Sequence, residues 1–307
     1  MSLLNNVITG RRKKPVCMMV YGTHGIGKST FGLKMPSPIY IGPEENDDLT
    51  VPRLERIVGW KDFQDQLKAI RDEQHEYQTL VIDTIDMLEN VAEASILHGK
   101  PDRISMATVD GGYGAGYKKM AKMFLDIREQ YLAPIRDKKG MNIILLAHAG
   151  MEKIEDPISM TSFDNYYPAM DKRVRPIFEN WVSAILFMNY VLLKTESAGK
   201  EYAIGEGARR IFTQERPSHQ AKNRYGLPYE MDYTLQRGCL DVMEHINSFY
   251  ADCDNFKAKE KSPVEELREI YPSLSEKAQN FVKESMQTAL SENQQRELLN
   301  RVKTNKF

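Results

Sequence analysis

Cysteine is scarce: Cys17, Cys239 and Cys253 stand far apart in a chain of 307 residues. With no paired spacing they build neither a zinc site nor a disulfide framework, and they suit a reducing compartment. Net charge is almost absent, −1 from 42 basic and 43 acidic side chains. A chain without a global field can hold nucleic acid only through local basic patches. Long apolar runs are missing too. The richest, Trp181 to Leu193, is too short for a membrane span and contains Ser183 and Asn189. The basic quartet Arg11, Arg12, Lys13 and Lys14 has no apolar run with a cleavage site, so no signal peptide is expected. These absences predict a cytoplasmic protein with no membrane partner. No internal repeat or low-complexity tract is evident.

What is present is an ordinary globular composition, long enough for one large α/β domain and a smaller appendage. Val16 to Tyr21 is a short apolar run that stops at a glycine, as a buried strand feeding a loop does. Pro38 to Ile41, Thr79 to Ile82 and Asn142 to Ala147 read as three more strands. Between them Phe63, Leu67 and Ile70 recur at helical spacing, as do Ile85, Leu88, Val91, Ala92 and Ile96. A long helix is expected over about Tyr117 to Asp137. Strands alternating with helices imply a mostly parallel twisted sheet flanked by helices on both faces. Residues 150 to 176 read as a long polar loop, Val182 to Leu193 as a strand, and Glu201–Ile204 with Arg209–Thr213 as a hairpin turning at Gly205 and Gly207. From Met231 onward the chain reads as helical. Start signals stand at Ser262-Pro263 with Glu265, Ser273 with Glu276, and Ser291 with Gln294. The expected organisation is a basic arm (1–14), a core (15–230) and a small helical region (231–307).

Gly22-Thr23-His24-Gly25-Ile26-Gly27-Lys28-Ser29, followed by Thr30, fits G-x-x-x-x-G-K-[ST] completely. The glycines let successive backbone N–H groups point into one concavity that holds phosphate oxygens, and the following helix adds its positive end. Lys28 is expected to reach the β- and γ-phosphates of ATP, and Ser29 to ligate Mg²⁺. By average glycine usage the pattern arises by chance in roughly one chain in a hundred of this length. Asp83, closing the strand Thr79 to Ile82, is the carboxylate expected to hold Mg²⁺ through water. Asp86, nearby, reads as a helix cap or surface charge. Glu44 and Glu45 follow the second strand at the same sheet edge, and either suits the group that activates water. His148 ends the fourth strand at that edge, where it can bond the γ-phosphate and report its loss.

The ordered set of phosphate loop, strand plus glutamate, strand plus aspartate and strand plus polar sensor resembles the RecA-like P-loop ATPase core. More closely, the chain resembles bacteriophage RecA-like ATPases of the single-strand-annealing and recombination group, known as phage AAA-family nucleotide-binding proteins. The motifs carrying this are Tyr21 to Thr30, Ile39-Tyr40-Ile41 with Glu44, Leu80 to Thr84, Tyr113 to Tyr117, Ile144 to His148 and Ala221 to Pro228. They span roughly residues 15 to 230. The resemblance implies Glu44 as the water-activating carboxylate. Where RecA-like chains often carry an aspartate two residues before that glutamate, this chain has Gly42 and then Pro43. The resemblance further implies that Lys222 and Arg224 form a K-x-R finger acting in a neighbour's site, hence a homo-oligomer, ring or filament.

RecA-type proteins bind single strands through loops near the sheet edge, and two segments here have the residues for it. Tyr113, Tyr117, Lys118 and Lys119 lie on a glycine-rich stretch, offering rings for bases and ammonium groups for phosphates. Lys172, Arg173 and Arg175 close the polar segment 150 to 176. The function expected is an ATPase acting on single-stranded DNA in phage recombination, annealing or replication, in the host cytoplasm. The alternative is a nucleotide-gated assembly or loader protein that binds a protein partner through its C-terminal helices. A small-molecule phosphotransferase would need an arginine-rich lid, and no convincing one is present.

Overall fold

The computed structural model describes residues 13–45, 50–156, 160–197, 200–254, 263–286 and 291–304. The basic arm up to Arg12, and the start signal at Ser262, lie outside them. β1 (Cys17–Gly22) leads through a tight loop into α1 (Lys28–Leu33), and β2 (Pro38–Ile41) precedes α2 (Trp60–Asp72). β3 (Thr79–Ile82) is followed by α3 (Leu88–Leu97), α4 (Ala115–Ile127) and α5 (Ala133–Asp137). Then come β4 (Asn142–Asp156), β5 (Thr161–Pro168), α6 (Arg175–Glu179), β6 (Ala184–Ser197) and β7 (Lys200–Phe212). The core ends with β8 (Lys222–Asn223), β9 (Glu230–Tyr233) and most of α7 (Leu240–Asp254).

The sheet runs β2-β3-β4-β1-β6-β7-β9, and its first five strands are parallel. β7 and β9 add antiparallel strands at one side, while β5 pairs with β4 and β8 with β6. β1 is buried along its whole length, as a strand covered on both faces must be. Its Cys17, Met19 and Tyr21 join a core with Leu80, Ile82, Ile143 and Leu145 and with Phe63, Leu88 and Phe124 of the covering helices. α2 forms because Trp60, Phe63, Leu67 and Ile70 share one stripe and all are buried. Asp62 caps its start, accepting the Gly59 N–H at 2.8 Å. Trp60 and Phe124 meet edge to face, 5.1 Å between ring centres.

Several sequence expectations change. The long helix is interrupted by a π turn, Arg128–Leu132, next to Pro134. A proline there cannot donate to the carbonyl of Gln130, and Arg71 Nη1 takes that oxygen at 2.9 Å instead. Residues 150 to 176 are no open loop: β4 continues past the sheet and pairs antiparallel with β5, from Ala149–Pro168 to Asp156–Thr161. The glycines at 205 and 207 make no hairpin turn. β7 is one strand against β6, and the register skips from Tyr190–Arg209 to Leu192–Gly205, so residues 206 to 208 form a bulge in which Gly207 has φ 74°. Finally, Ser273 lies in a short 3₁₀ turn, and Ser275 caps the helix that follows.

The chain divides into two compact units, Lys13–Phe249 and the helices from Tyr250 onward. The first runs past residue 230, where a helical region was expected to begin, because β9 extends the sheet through β7 and Val242 and Ile246 of α7 are buried. The second unit holds α8 (Pro263–Ile270), α9 (Glu276–Ser285) and α10 (Glu292–Lys303) around Leu267, Val282, Leu298, Leu299 and Val302. Ser291 and Gln294 form the expected capping box of α10. Among the described residues, no helix is long and apolar enough to cross a membrane.

Candidate active site

β1, β2, β3 and β4 reach the same edge of the sheet, and the segments leaving them assemble one site. Gly25 and Gly27 adopt φ of 71° and 105°, turning the backbone between β1 and α1 into a cradle. A side chain at Gly27 would be strained by its φ and would press on Leu235, 2.6 Å from the Cβ position. Lys28 lies buried inside this loop, its Nζ donating to the carbonyls of Gly22 at 3.2 Å and Thr23 at 3.1 Å. Burial lowers its pKa, opposed by the carboxylates of Asp83, Glu44 and Asp86.

Ser29 Oγ donates to Asp83 Oδ2 at 2.6 Å, so hydroxyl and carboxylate converge beside the cradle. This hard-oxygen pair fits Mg²⁺ held by the hydroxyl, with the carboxylate reaching it through water. Among the described residues, no three His, Cys, Asp or Glu side chains group into a metal cage. Asp83 is buried, and the Asp83–Thr84 peptide is cis. Gly42 passes so close that a Cβ there would sit 1.9 Å from Asp83 O. The departure from the RecA-like pattern at this position therefore has a steric cause.

The two acids after β2 point to different places. Glu44 Oε1 accepts from Thr84 Oγ1 at 2.9 Å and lies 3.6 Å from His148 Nε2. Glu45 is exposed and pairs with Arg56. Asp86 is no surface charge: its side chain is 9% exposed and sits 2.8 Å from His148 Nδ1. It also accepts the His148 backbone N–H at 3.1 Å. The bond from Asp86 to the ring is the main cause of a raised His148 pKa. The ring of His24, from the phosphate loop, packs 4.3 Å from that of His148.

Three tyrosines brace the loop without any local sequence signal. Tyr233 donates to Gly27 O at 2.7 Å, Tyr190 to Gly25 O at 3.2 Å and Tyr40 to Ser29 O at 2.6 Å. They come from β9, β6 and β2, so only the sheet order brings them to one loop.

Lys222 and Arg224 are not at this edge. β8 pairs with Ala184 and Ile185 at the start of β6, whereas Gly22 aligns with Met188 further along. The Lys222 ammonium caps the end of α6, donating to Glu179 O at 2.6 Å. Arg224 is exposed and, among the described residues, makes no ion pair.

The two segments expected to contact DNA meet. Arg173 stacks over the Tyr117 ring, 4.7 Å from its centre, and Tyr113 beside it is 98% exposed. Lys118 and Lys172 are exposed, and Lys119 reaches Asp110 at 3.7 Å. Arg175 does not join them. It lies over Tyr167 at 4.3 Å and pairs with Glu152 and Glu179.

The arrangement can bind a triphosphate, hold a divalent ion and present a carboxylate and an imidazole to its far end. No curated protein sequence matches the chain. Among solved structures, the KaiC-like protein PH0186 from the hyperthermophilic archaeon Pyrococcus horikoshii OT3 is similar at 13% identity, over 72% of this chain and 90% of that one, with a TM-score of 0.33. A family model described as AAA domain matches residues 14–225, which takes in the phosphate loop, Glu44, Asp83 and His148 and covers more than half of the sequence. The chain belongs to the AAA domain family of nucleotide-binding P-loop ATPases.

Proposed function

We propose that the protein hydrolyses Mg²⁺-bound ATP in a RecA-like site and couples that turnover to single-stranded DNA during bacteriophage recombination, annealing or replication. The observation that carries the hydrolytic part is the convergence of Lys28, Ser29–Asp83 and Glu44 on one cradle. Lys28 leaves the loop carbonyls for the phosphates. Glu44, oriented by Thr84, orients and deprotonates the attacking water. Mg²⁺ held by Ser29 and, through water, by Asp83 would offset the charge that builds on the phosphate oxygens. Lys222 holds α6, and Arg224 is the finger that reaches a neighbouring subunit's γ-phosphate, so hydrolysis is fast only in the oligomer.

The DNA part is supported by the joint surface of Tyr113, Tyr117, Lys118, Lys172 and Arg173, where rings and cations alternate as single-strand grooves require. Lys119 lies at its margin, and Arg175 serves to fasten the β4–β5 hairpin. The test is steady-state ATP hydrolysis with and without single-stranded DNA at two salt concentrations, with Lys28→Ala as control. Salt-sensitive stimulation, absent in the control, is expected. Normal turnover by Lys28→Ala would remove the site from the phosphate loop. Intact turnover that ignores DNA at both salts would favour partner-gated assembly. The separate helical unit supports that second reading, since it carries an apolar groove of about 290 Å³ lined by Val264, Leu267, Tyr271, Val282 and Met286.

A further inference from the structure

Asp86 and His148 reach each other from the turn after β3 and from the point where β4 leaves the parallel sheet. Both carboxylate oxygens serve the one residue. Oδ2 lies 2.8 Å from the ring Nδ1, and Oδ1 accepts the backbone N–H at 3.1 Å. The ring is therefore held from its side chain and its main chain together. Its other nitrogen, Nε2, faces Glu44 Oε1 at 3.6 Å. The pair is largely withdrawn from water, with side chains 16% and 9% exposed, so its charges are weakly screened.

A carboxylate on Nδ1 selects the tautomer that carries Nδ1–H and turns Nε2 toward whatever occupies the site. We propose that Asp86 is a positioning residue that fixes His148 so that Nε2 meets a γ-phosphate oxygen beside Glu44, with the imidazolium as the working form. The inference rests on the hydrolytic reading above. Protonated on both nitrogens, the ring donates to Asp86 and to the phosphate at once. The groups facing it are Asp86 and Glu44, which favour the imidazolium, Lys28, which with burial opposes it, and the packed ring of His24. With the phosphate gone, Nε2 loses that acceptor while Asp86 still holds the ring in place.

The experiment is an NMR titration of the histidine rings in the full-length protein, run on wild type, Asp86→Asn, Asp86→Glu and His148→Gln. The last variant assigns the His148 signal. Each is measured without nucleotide, with Mg-ADP and with a Mg-bound non-hydrolysable ATP analogue, and circular dichroism checks the fold. In wild type the Nε2 signal is expected to move with the analogue and not with ADP. Asp86→Asn should lower the His148 midpoint by about one pH unit, a tenfold loss of proton affinity. The alkaline limb of kcat should move down with it, and Asp86→Glu should restore both. In the His148→Gln background, Asp86→Asn should cost nothing further. An unchanged midpoint in folded Asp86→Asn would overturn the proposal, as would lost activity with the ring titration intact, since Asp86 would then merely hold the fold. A wild type that binds the analogue without turnover would sink the hydrolytic reading, while the ring titrations would still decide the role of Asp86.

Discussion

Glu44 and Glu45 are adjacent, equally acidic and at the same strand end, yet their surroundings divide them. Glu44 is tied to Thr84 and lies beside His148, whereas Glu45 is taken by Arg56. Glu44→Gln keeps size and hydrogen bonding but cannot accept a proton. It is expected to bind ATP normally and to lose about 10²–10⁴ in kcat. Glu45→Gln should stay close to wild type, and single-turnover kinetics on both variants compares them. If Glu45→Gln were the inactive one, the carboxylate assignment would be reversed. The sequence placed both acids at the correct edge, but side-chain direction depends on what waits across the cleft. Asp86 makes the same point, since its partner His148 is 62 positions away.

Elements carry the next level of consequence. α3 begins just after Asp86, and its Glu89 accepts the Asp171 N–H through both oxygens, at 2.9 and 3.0 Å. The start of α3 thereby joins the nucleotide edge to the segment that bears Lys172 and Arg173. Burial raises the Glu89 pKa from 4.5 to about 8. A carboxyl raised on folding favours the native state fully below its unfolded pKa, and that contribution is lost as pH climbs through the folded value. Stability should therefore decline between about pH 4.5 and 8 on account of this group. Glu89→Gln should flatten that decline, with a gain on the order of 1–3 kcal/mol over wild type at the alkaline end. Urea midpoints under acidic and alkaline conditions measure it, and equal pH slopes in both proteins would contradict the account. The β4–β5 hairpin belongs to this level as well. Its apolar pairs Met151–Tyr166 and Ile154–Phe163 fall on opposite faces, so no alternation marks it and the ladder pairing makes it a hairpin.

For the whole molecule, the phosphate loop and the K-x-R element lie toward opposite edges of the sheet. Under the proposed function, one subunit's Arg224 completes another's site in a head-to-tail assembly. Arg224→Ala should assemble and bind ATP but hydrolyse it about 10³-fold more slowly. Mixing it with Lys28→Ala should recover part of the activity, because each variant supplies what the other lacks. No recovery at any ratio would argue against action in trans. On the proposed DNA surface, Tyr117→Ala should cost about 1–3 kcal/mol of single-strand affinity through lost stacking. Lys172→Ala should instead reduce the salt slope by about one. Fluorescence anisotropy at several salt concentrations separates the two effects.

Local features of this protein could be read along the chain. The phosphate loop is eight consecutive residues whose glycines dictate the backbone, and β2 and β3 are short apolar runs bounded by turn residues. Periodicity marked α2 and α3, because a helix shows its buried stripe within a dozen residues. Whatever joins distant parts of the chain had to wait for the folded arrangement. The resemblance singled out Glu44, and folding supplied its setting beside Thr84, brought Asp86 to His148, aimed Tyr233 and Tyr190 at the phosphate loop and carried Tyr117 to Arg173. Folding also paired Gly205 with Leu192 and put Gly207 in a bulge, since the partner strand was β6 and not the next few residues. The physical reason is the same throughout. Backbone conformation answers to neighbours along the chain, while hydrogen bonds, burial and charge answer to neighbours in space.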